Sequence, residues 1–249
     1  MNQSLFGLKK KAKRLILQLR YWADYFQFKK ANDGRFALSF SERFVIVDDK
    51  TPSTPFDRHY LYHPAWAARV LATTKPSVHV DISSILQFST IVSAFIPIRF
   101  YDYRPASVNL SGFHTGKCYL VALPFESGSI KSLSCMHTVE HIGLGRYGDP
   151  IDPTGDLKAI RELMRVLAHG GDLLLVVPIG KPKLMFNAHR IYALDQILAY
   201  TEGLEVKEFS LIPDSDRDGS LIVHASKEIA DRQHYGCGCF WFRRPEARH

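Results

Sequence analysis

Residues Leu133 to Gly180 read LSCMHTVEHIGLGRYGDPIDPTGDLKAIRELMRVLAHGGDLLLVVPIG. The short apolar run ending at Met136 suits a buried strand, and Asp156 to Ala168 suits a helix. Gly170 and Gly171 then read as a helix stop, followed by a second apolar strand over Asp172 to Val177. This is a β-loop-α-β unit. Its loop, from His137 to Asp156, carries more histidine, arginine and aspartate than a connector needs. The chemistry of the chain is expected there.

The same alternation extends in both directions. Upstream, His63 to Thr74 has helical apolar spacing with Pro64 in its first turn. Ser77 to Ile82 reads as a strand, Ser84 to Phe95 as a helix and Ile98 to Tyr101 as a strand ending at Asp102. A third strand is expected within Val108 to Val121, ahead of a fourth over Ser132 to Met136. Downstream, Leu194 to Tyr200 reads as a helix. Glu205 to Ile212 and Ser220 to Ala225 read as terminal strands around a polar turn. Short apolar strands alternating with helices predict an α/β fold with a mostly parallel sheet covered on both faces. Before this region, Arg35 to Phe40 and Arg43 to Asp48 resemble two short strands. The expected organisation is a helix over 1–30, an extension over 31–62, an α/β domain over 63–228 and a tail over 229–249.

Of the 249 residues, 46% are hydrophobic, enough for one large core. The four cysteines have irregular spacing and make no disulfide framework, which points to a reducing, cytoplasmic setting. The longest mostly apolar run, Ile85 to Ile98, is interrupted by polar residues and too short to cross a bilayer. The net charge of +7 is concentrated at the start of the chain, in Lys9, Lys10, Lys11, Lys13, Arg14, Arg20, Lys29 and Lys30. Leu15, Leu19, Trp22 and Phe26 lie among them. Two readings stay open: a basic amphipathic helix peripheral to an anionic membrane surface, or a helix docked on its own domain. No nucleic-acid partner is expected, because the basic block lacks a base-reading motif.

In an open parallel sheet, ligands bind beyond the carboxyl ends of the strands. Asp81 closes the first strand. Asp102 closes the second about twenty residues later, where a carboxylate can accept ribose hydroxyl protons. With Leu123-Pro124-Phe125, HTVEH at 137–141, RVLAHGG and LLLVVP, these acids resemble the class I S-adenosylmethionine-dependent methyltransferase fold over roughly His63 to Ser226. A closer likeness is to an uncharacterised domain family allied to these enzymes. Its marks are RHYLYHPAWAARVL (Arg58 to Leu71), HIGLGRYGDPIDPTGD (His141 to Asp156) and FNAHR (Phe186 to Arg190). The resemblance implies a Rossmann-like doubly wound sheet with a terminal antiparallel pair, and S-adenosyl-L-methionine as cofactor. It assigns Asp102 to the ribose, Asp81 and Ser83 to the methionine end, and His137 to the cofactor side of the site. The glycine-rich cofactor loop of that fold is replaced here by Asp81-Ile82-Ser83-Ser84-Ile85, and Lys117 or Cys118 stands where an adenine-contacting acid is common.

On the acceptor side the loop offers His141, Arg146 and Asp149, and Asn187, His189 and Arg190 follow the fifth strand. Both clusters are expected to face one cleft. His141 or His189 suits a general base, and Arg146 and Arg190 suit an acceptor's negative charge. For Asp149, Asp152 and Asp156 taken singly, turn and helix capping is favoured. His137-x-x-Glu140-His141 also matches an inverted zinc-protease pattern, but the glycines that follow argue against the continuous helix this needs. Cys237-Gly-Cys239 reads as inert, and no metal is expected.

The leading reading is a methyltransferase acting on a hydroxyl of an anionic small molecule or glycan precursor. A phosphorylated or lipid-linked sugar of polysaccharide biosynthesis fits both the arginines and a membrane helix. The alternatives are a Rossmann-like enzyme that no longer uses S-adenosylmethionine, or a catalytically silent binding module. The oligomeric state is left open.

Overall fold

The computed structural model describes residues 2–83 and 85–247. Ser84 of the expected cofactor loop lies outside them, as do the side chains of residues 2–6, 8 and 9 on the expected amphipathic helix. The chain divides into two compact units, one ending at Phe56 and one beginning at Asp57.

In the first unit, α1 (Asn2–Ala31) is followed by a segment with no regular element among the described residues. The two short strands expected over 35–48 do not form, because neither has a neighbour with which to share a ladder. The segment is held by side chains instead. Phe40 stacks on Trp22 at 5.9 Å, and the Arg43 guanidinium covers the Phe40 ring at 3.5 Å. Leu15, Ile16, Leu19 and Phe26 of α1 remain exposed. No described helix is long and apolar enough to cross a membrane.

The second unit begins with α2 (Arg58–Thr74), five residues earlier than expected because the Asp57 side chain accepts the Tyr60 N–H and caps it. Pro64 therefore lies inside the helix rather than in its first turn. The sheet comprises β1 (His79–Ile82), β2 (Ile98–Asp102), β3 (Phe113–Lys117), β4 (Ile130–Met136), β5 (Leu167–Ile179), β8 (Glu205–Ile212) and β9 (Gly236–Arg243). A separate hairpin pairs β6 (Lys183–Met185) with β7 (His189–Ile191). The helices between strands are α3 (Leu86–Val92), α4 (Gly155–Val166), α5 (Leu194–Tyr200) and α6 (Lys227–Asp231). Strand order is β3-β2-β1-β4-β5-β9-β8, parallel through β5 and antiparallel at β9 and β8. This is the doubly wound sheet with a terminal antiparallel pair that the resemblance implied.

Alternation along the strands builds two cores. Leu173, Leu175, Val177 and Ile179 of β5 face Ile160 and Leu163 of α4 and Ile197 of α5. Leu174 and Val176 face the other way, toward Trp66, Val70 and Leu71 of α2. The expected glycine stop after α4 is absent. Helix passes directly into strand at Leu167, and Gly170, at φ 70°, sits within β5, close to an irregularity in the β4–β5 register.

The expected last strand is also corrected. Ser220 to Ala225 contributes one isolated bridge, Leu211 to Ile222, whereas the expected tail supplies β9, which inserts between β5 and β8. Its GCGCFWFR sequence buries Cys237, Cys239, Phe240 and Phe242 completely. The α/β unit therefore runs through the tail, and the boundary expected at 228 falls within it.

Candidate functional site

A cavity of about 440 Å³ opens beyond the carboxyl ends of β1, β2 and β4. Its walls include Ser83, Tyr101, Asp102, Tyr103, Arg104, Cys118, Tyr119, His137, His141, Tyr147 and Asp149. Its size is in the range of small-molecule sites. The wall that carries Cys118 and Tyr119 is braced from α4. Arg165 of α4 donates to the Leu123 and Phe125 carbonyls, and Glu162 accepts the Leu123 N–H. Gly116 lets the Tyr101 ring lie across β3, where a Cβ would meet the ring at 2.5 Å.

Asp102 stands where the strand ends. One carboxylate oxygen accepts the Arg104 N–H at 2.7 Å, and the other has no hydrogen-bond partner among the described residues. The cavity can therefore offer a ligand a free carboxylate oxygen. Tyr103 and Tyr119 lie 5.6 Å apart beside it. Burial, with Asp102 nearby, pushes the Cys118 thiol up to about 12, so it serves as neutral wall.

Asp81 is placed differently from expectation. It is fully buried, takes hydrogen bonds from Ser83 at 2.6 Å, Ser134 at 2.5 Å and Ser89, and forms no part of the cavity wall. Burial raises its carboxyl and the three hydroxyls partly oppose that. Ser83 Oγ also accepts the Met136 N–H, tying β1 to β4. His79 continues this network, with its two ring nitrogens on Ser132 and Ser134, and burial lowers it to about 3. Where the related fold uses glycines, this chain closes the strand end with serine hydroxyls. The Asp81 side chain supports the site from behind and does not contact a ligand in it.

The acceptor-side residues divide between two cavities. His141 lines the first one. Its Nδ1 lies 2.6 Å from the Ala188 carbonyl, so Nδ1–H donates and Nε2 is left to exchange a proton, 3.8 Å from Glu140 Oε1. Burial would raise the Glu140 carboxyl, but the His137 hydrogen bond and electrostatic attraction to the His137 and His141 rings outweigh it and hold the group below the usual carboxylate value. His189 lines a second groove, with Lys183, Met185 and Tyr235. Its Nε2 is buried without a partner among the described residues, and burial lowers its pKa. The single cleft expected for His141 and His189 is thus two adjoining ones. Asn187 is exposed.

Arg190 is corrected more firmly. Its guanidinium donates to the carbonyls of Ile142 at 2.7 Å, Glu140 at 3.4 Å and Pro153 at 3.3 Å, and pairs with Asp156 at 3.5 Å. It pins the loop, with four of its five N–H groups turned to these partners. Asp149 accepts the Gly143 and Tyr147 N–H groups, so its carboxylate shapes the turn it also exposes to the cavity. Gly143, at φ 80°, lies where a Cβ would meet the Asp152 carbonyl at 2.0 Å. Arg146 remains at the mouth, with its guanidinium 5.1 Å from the Tyr147 ring, and Arg104 approaches the same ring at 4.8 Å. Arg104 was not distinguishable in the sequence; its place two residues after Asp102 was the available signal.

His137 sits at the β4 end, left-handed at φ 50° and buried. Its Nδ1 meets Glu140 at 2.8 Å, and its ring lies beside those of His59, Tyr60 and His63. Of the three residues from α2, His63 was expected at the start of the helix and His59 and Tyr60 in the extension before it, because nothing in sequence joins position 59 to position 137.

The fold is similar to that of solved methyltransferases. The Burkholderia thailandensis 1,6-didemethyltoxoflavin-N1-methyltransferase, solved with 1,6-didemethyltoxoflavin and S-adenosylhomocysteine, aligns at TM-score 0.52 with 10% identity over 74% of this chain and 79% of that one. A Bacillus halodurans C-125 protein assigned as a methyltransferase aligns at 0.51 with 13% identity, over 73% and 98% of the two chains. A Galdieria sulphuraria protein assigned as a sarcosine dimethylglycine methyltransferase aligns at 0.50 with 13% identity, over 75% and 86%. In sequence, the profile of the family described as "Caenorhabditis protein of unknown function, DUF268" matches residues 126–216. No curated protein sequence matches the chain.

Proposed function

We propose that this chain is an S-adenosylmethionine-dependent methyltransferase acting on a hydroxyl of an anionic small molecule or glycan precursor. The observation that carries this reading is one cavity that joins Asp102, at the end of β2, to His141, beyond the end of β4. The residues present fit the cofactor on one side: a free Asp102 oxygen suits a ribose hydroxyl, and the Tyr103 and Tyr119 rings suit an adenine face. At the methionine end, the backbone at Ser83 takes the place of the missing glycines. When bound, the cofactor supplies an electrophilic methyl group.

The protein's own part is alignment and proton removal. Nε2 of His141 takes the acceptor hydroxyl proton, while Nδ1–H stays on Ala188 and the Glu140 carboxylate balances the charge acquired. Arg146 and Arg104 hold the acceptor's anionic group at the mouth. His189, in the neighbouring groove, is the less suitable base. Titration calorimetry of the full chain with S-adenosylmethionine and S-adenosylhomocysteine tests this. Asp102→Ala should weaken either ligand by about 10- to 100-fold, the loss of a hydrogen bond to a charged group. No binding by the folded chain at millimolar ligand would leave the methyltransferase reading without support.

For the first unit we propose peripheral attachment to an anionic membrane. The exposed Leu15, Ile16, Leu19 and Phe26 on a helix that also exposes Lys10, Lys11, Lys13 and Arg14 support this reading.

A further inference from the structure

Behind the cavity, three elements distant in sequence bring metal-ligand chemistry together. His59 comes from the first turn of α2, His137 from the end of β4 and Cys237 from the start of β9. Each offers one ligand atom, and the three atoms lie within 4.8 Å of one another. His137 Nε2 is 3.4 Å from Cys237 Sγ. Two donors at about 2.0–2.1 Å and 2.3 Å from one tetrahedral zinc ion would be separated by nearly that distance.

We propose that His59, His137 and Cys237 form a binding site for a zinc-type divalent cation, with one coordination position left for water or an oxygen ligand. Ligand type selects the ion, since imidazole with thiolate favours zinc over magnesium or calcium. The surrounding shell has the matching order. Glu140 accepts the Nδ1–H of His137 at 2.8 Å, which fixes the tautomer and leaves the Nε2 lone pair facing Cys237. Binding displaces the Cys237 thiol proton to solvent, so one thiolate, one carboxylate and one dication sum to zero charge in a buried place.

Two further observations favour a functional cluster over ordinary packing. His137 is held left-handed at φ 50°, a conformation uncommon for a residue with a side chain and concentrated at functional sites. Glu140 Oε2 and His63 Nε2, beside this cluster, are buried without hydrogen-bond partners among the described residues. Buried polar atoms are rarely left so unless something polar completes them. The site does not depend on the His137-x-x-Glu140-His141 pattern as a helix, since Val139–His141 is a single turn of 3₁₀ helix. It also reverses the inert reading of Cys237.

Cobalt titration of the full chain, stripped of metal with a chelator, tests the site without reference to methyl transfer. One equivalent of Co²⁺ should bind with a thiolate-to-metal charge-transfer band and strong visible bands of tetrahedral geometry, and Zn²⁺ should displace it. Cys237→Ser should abolish the charge-transfer band and His59→Ala should weaken binding at least tenfold. Cys239→Ser and Cys118→Ser should retain the band. Absence of stoichiometric binding by the wild type, or a band that survives Cys237→Ser, would overturn the proposal. Should the Cys237 variant fail to fold, X-ray absorption of the zinc-loaded wild type decides. One sulfur with two imidazoles supports the site, and a shell without sulfur or with two sulfurs refutes it.

Discussion

Replacing Arg190 with methionine removes a guanidinium that donates to three loop carbonyls and pairs with Asp156, while keeping most of the side chain's volume. The pair is largely shielded, with side-chain exposures of 11% for Arg190 and 8% for Asp156. Breaking a buried pair by removing one partner costs about 3–5 kcal/mol, because the other charge stays buried without compensation. Tyr192 still donates to Asp156 at 3.0 Å, which places the expected loss at the lower end, about 3 kcal/mol. At about 2–4 °C per kcal/mol for a unit of this size, the melting temperature should fall by roughly 6–12 °C. Urea unfolding followed by circular dichroism measures the loss directly. Adding Asp156→Asn should recover part of it, with a coupling of about 1–2 kcal/mol. A variant that keeps its stability within about 0.5 kcal/mol but loses affinity for anionic ligands would refute the assignment of Arg190 as a loop pin.

Other outcomes follow from the same structure. Ending the chain after residue 228 removes β9 from between β5 and β8, so the truncated protein should show no cooperative unfolding transition by calorimetry. His79 is held neutral by burial down to about 3, well below its value in an unfolded chain. The unfolded state then binds the proton first, so this contribution is complete above about pH 6.5 and lost as pH falls toward 3. His79→Gln should flatten the acid side of a plot of urea midpoint against pH, and an unchanged slope would count against it. Vesicle co-sedimentation should show the full chain bound to anionic but not neutral vesicles, and the chain from Asp57 onward bound to neither.

The parallel sheet was legible because its strands and helices carry their own periodicities. Short apolar runs and 3.6-residue patterns need only neighbours in sequence, and Leu173 to Val177 as a run or His63 to Thr74 as a helix display them without tertiary help. Asp102 was equally visible, since a strand end is a local feature and the fold rule that puts ligands there is general. The last strand escaped for the opposite reason. GCGCFWFR has no alternation because both of its faces are buried, and Ser220 to Ala225 looked more like an edge strand than it is.

The linear order of Leu133 to Gly180 determined that a strand, a polar loop, a helix and a strand follow one another, and that the loop is dense in histidine, arginine and aspartate. Only the tertiary structure decided how its side chains are used. A charged residue seeks whatever donors or acceptors packing brings within about 3 Å, and those come from elsewhere in the chain. Arg190 was therefore drawn into the loop's own carbonyls, Asp81 into a cage of serines, and His137 toward His59 and Cys237. Those partners lie 78 residues before it and 100 residues after it, and no local pattern could have joined them.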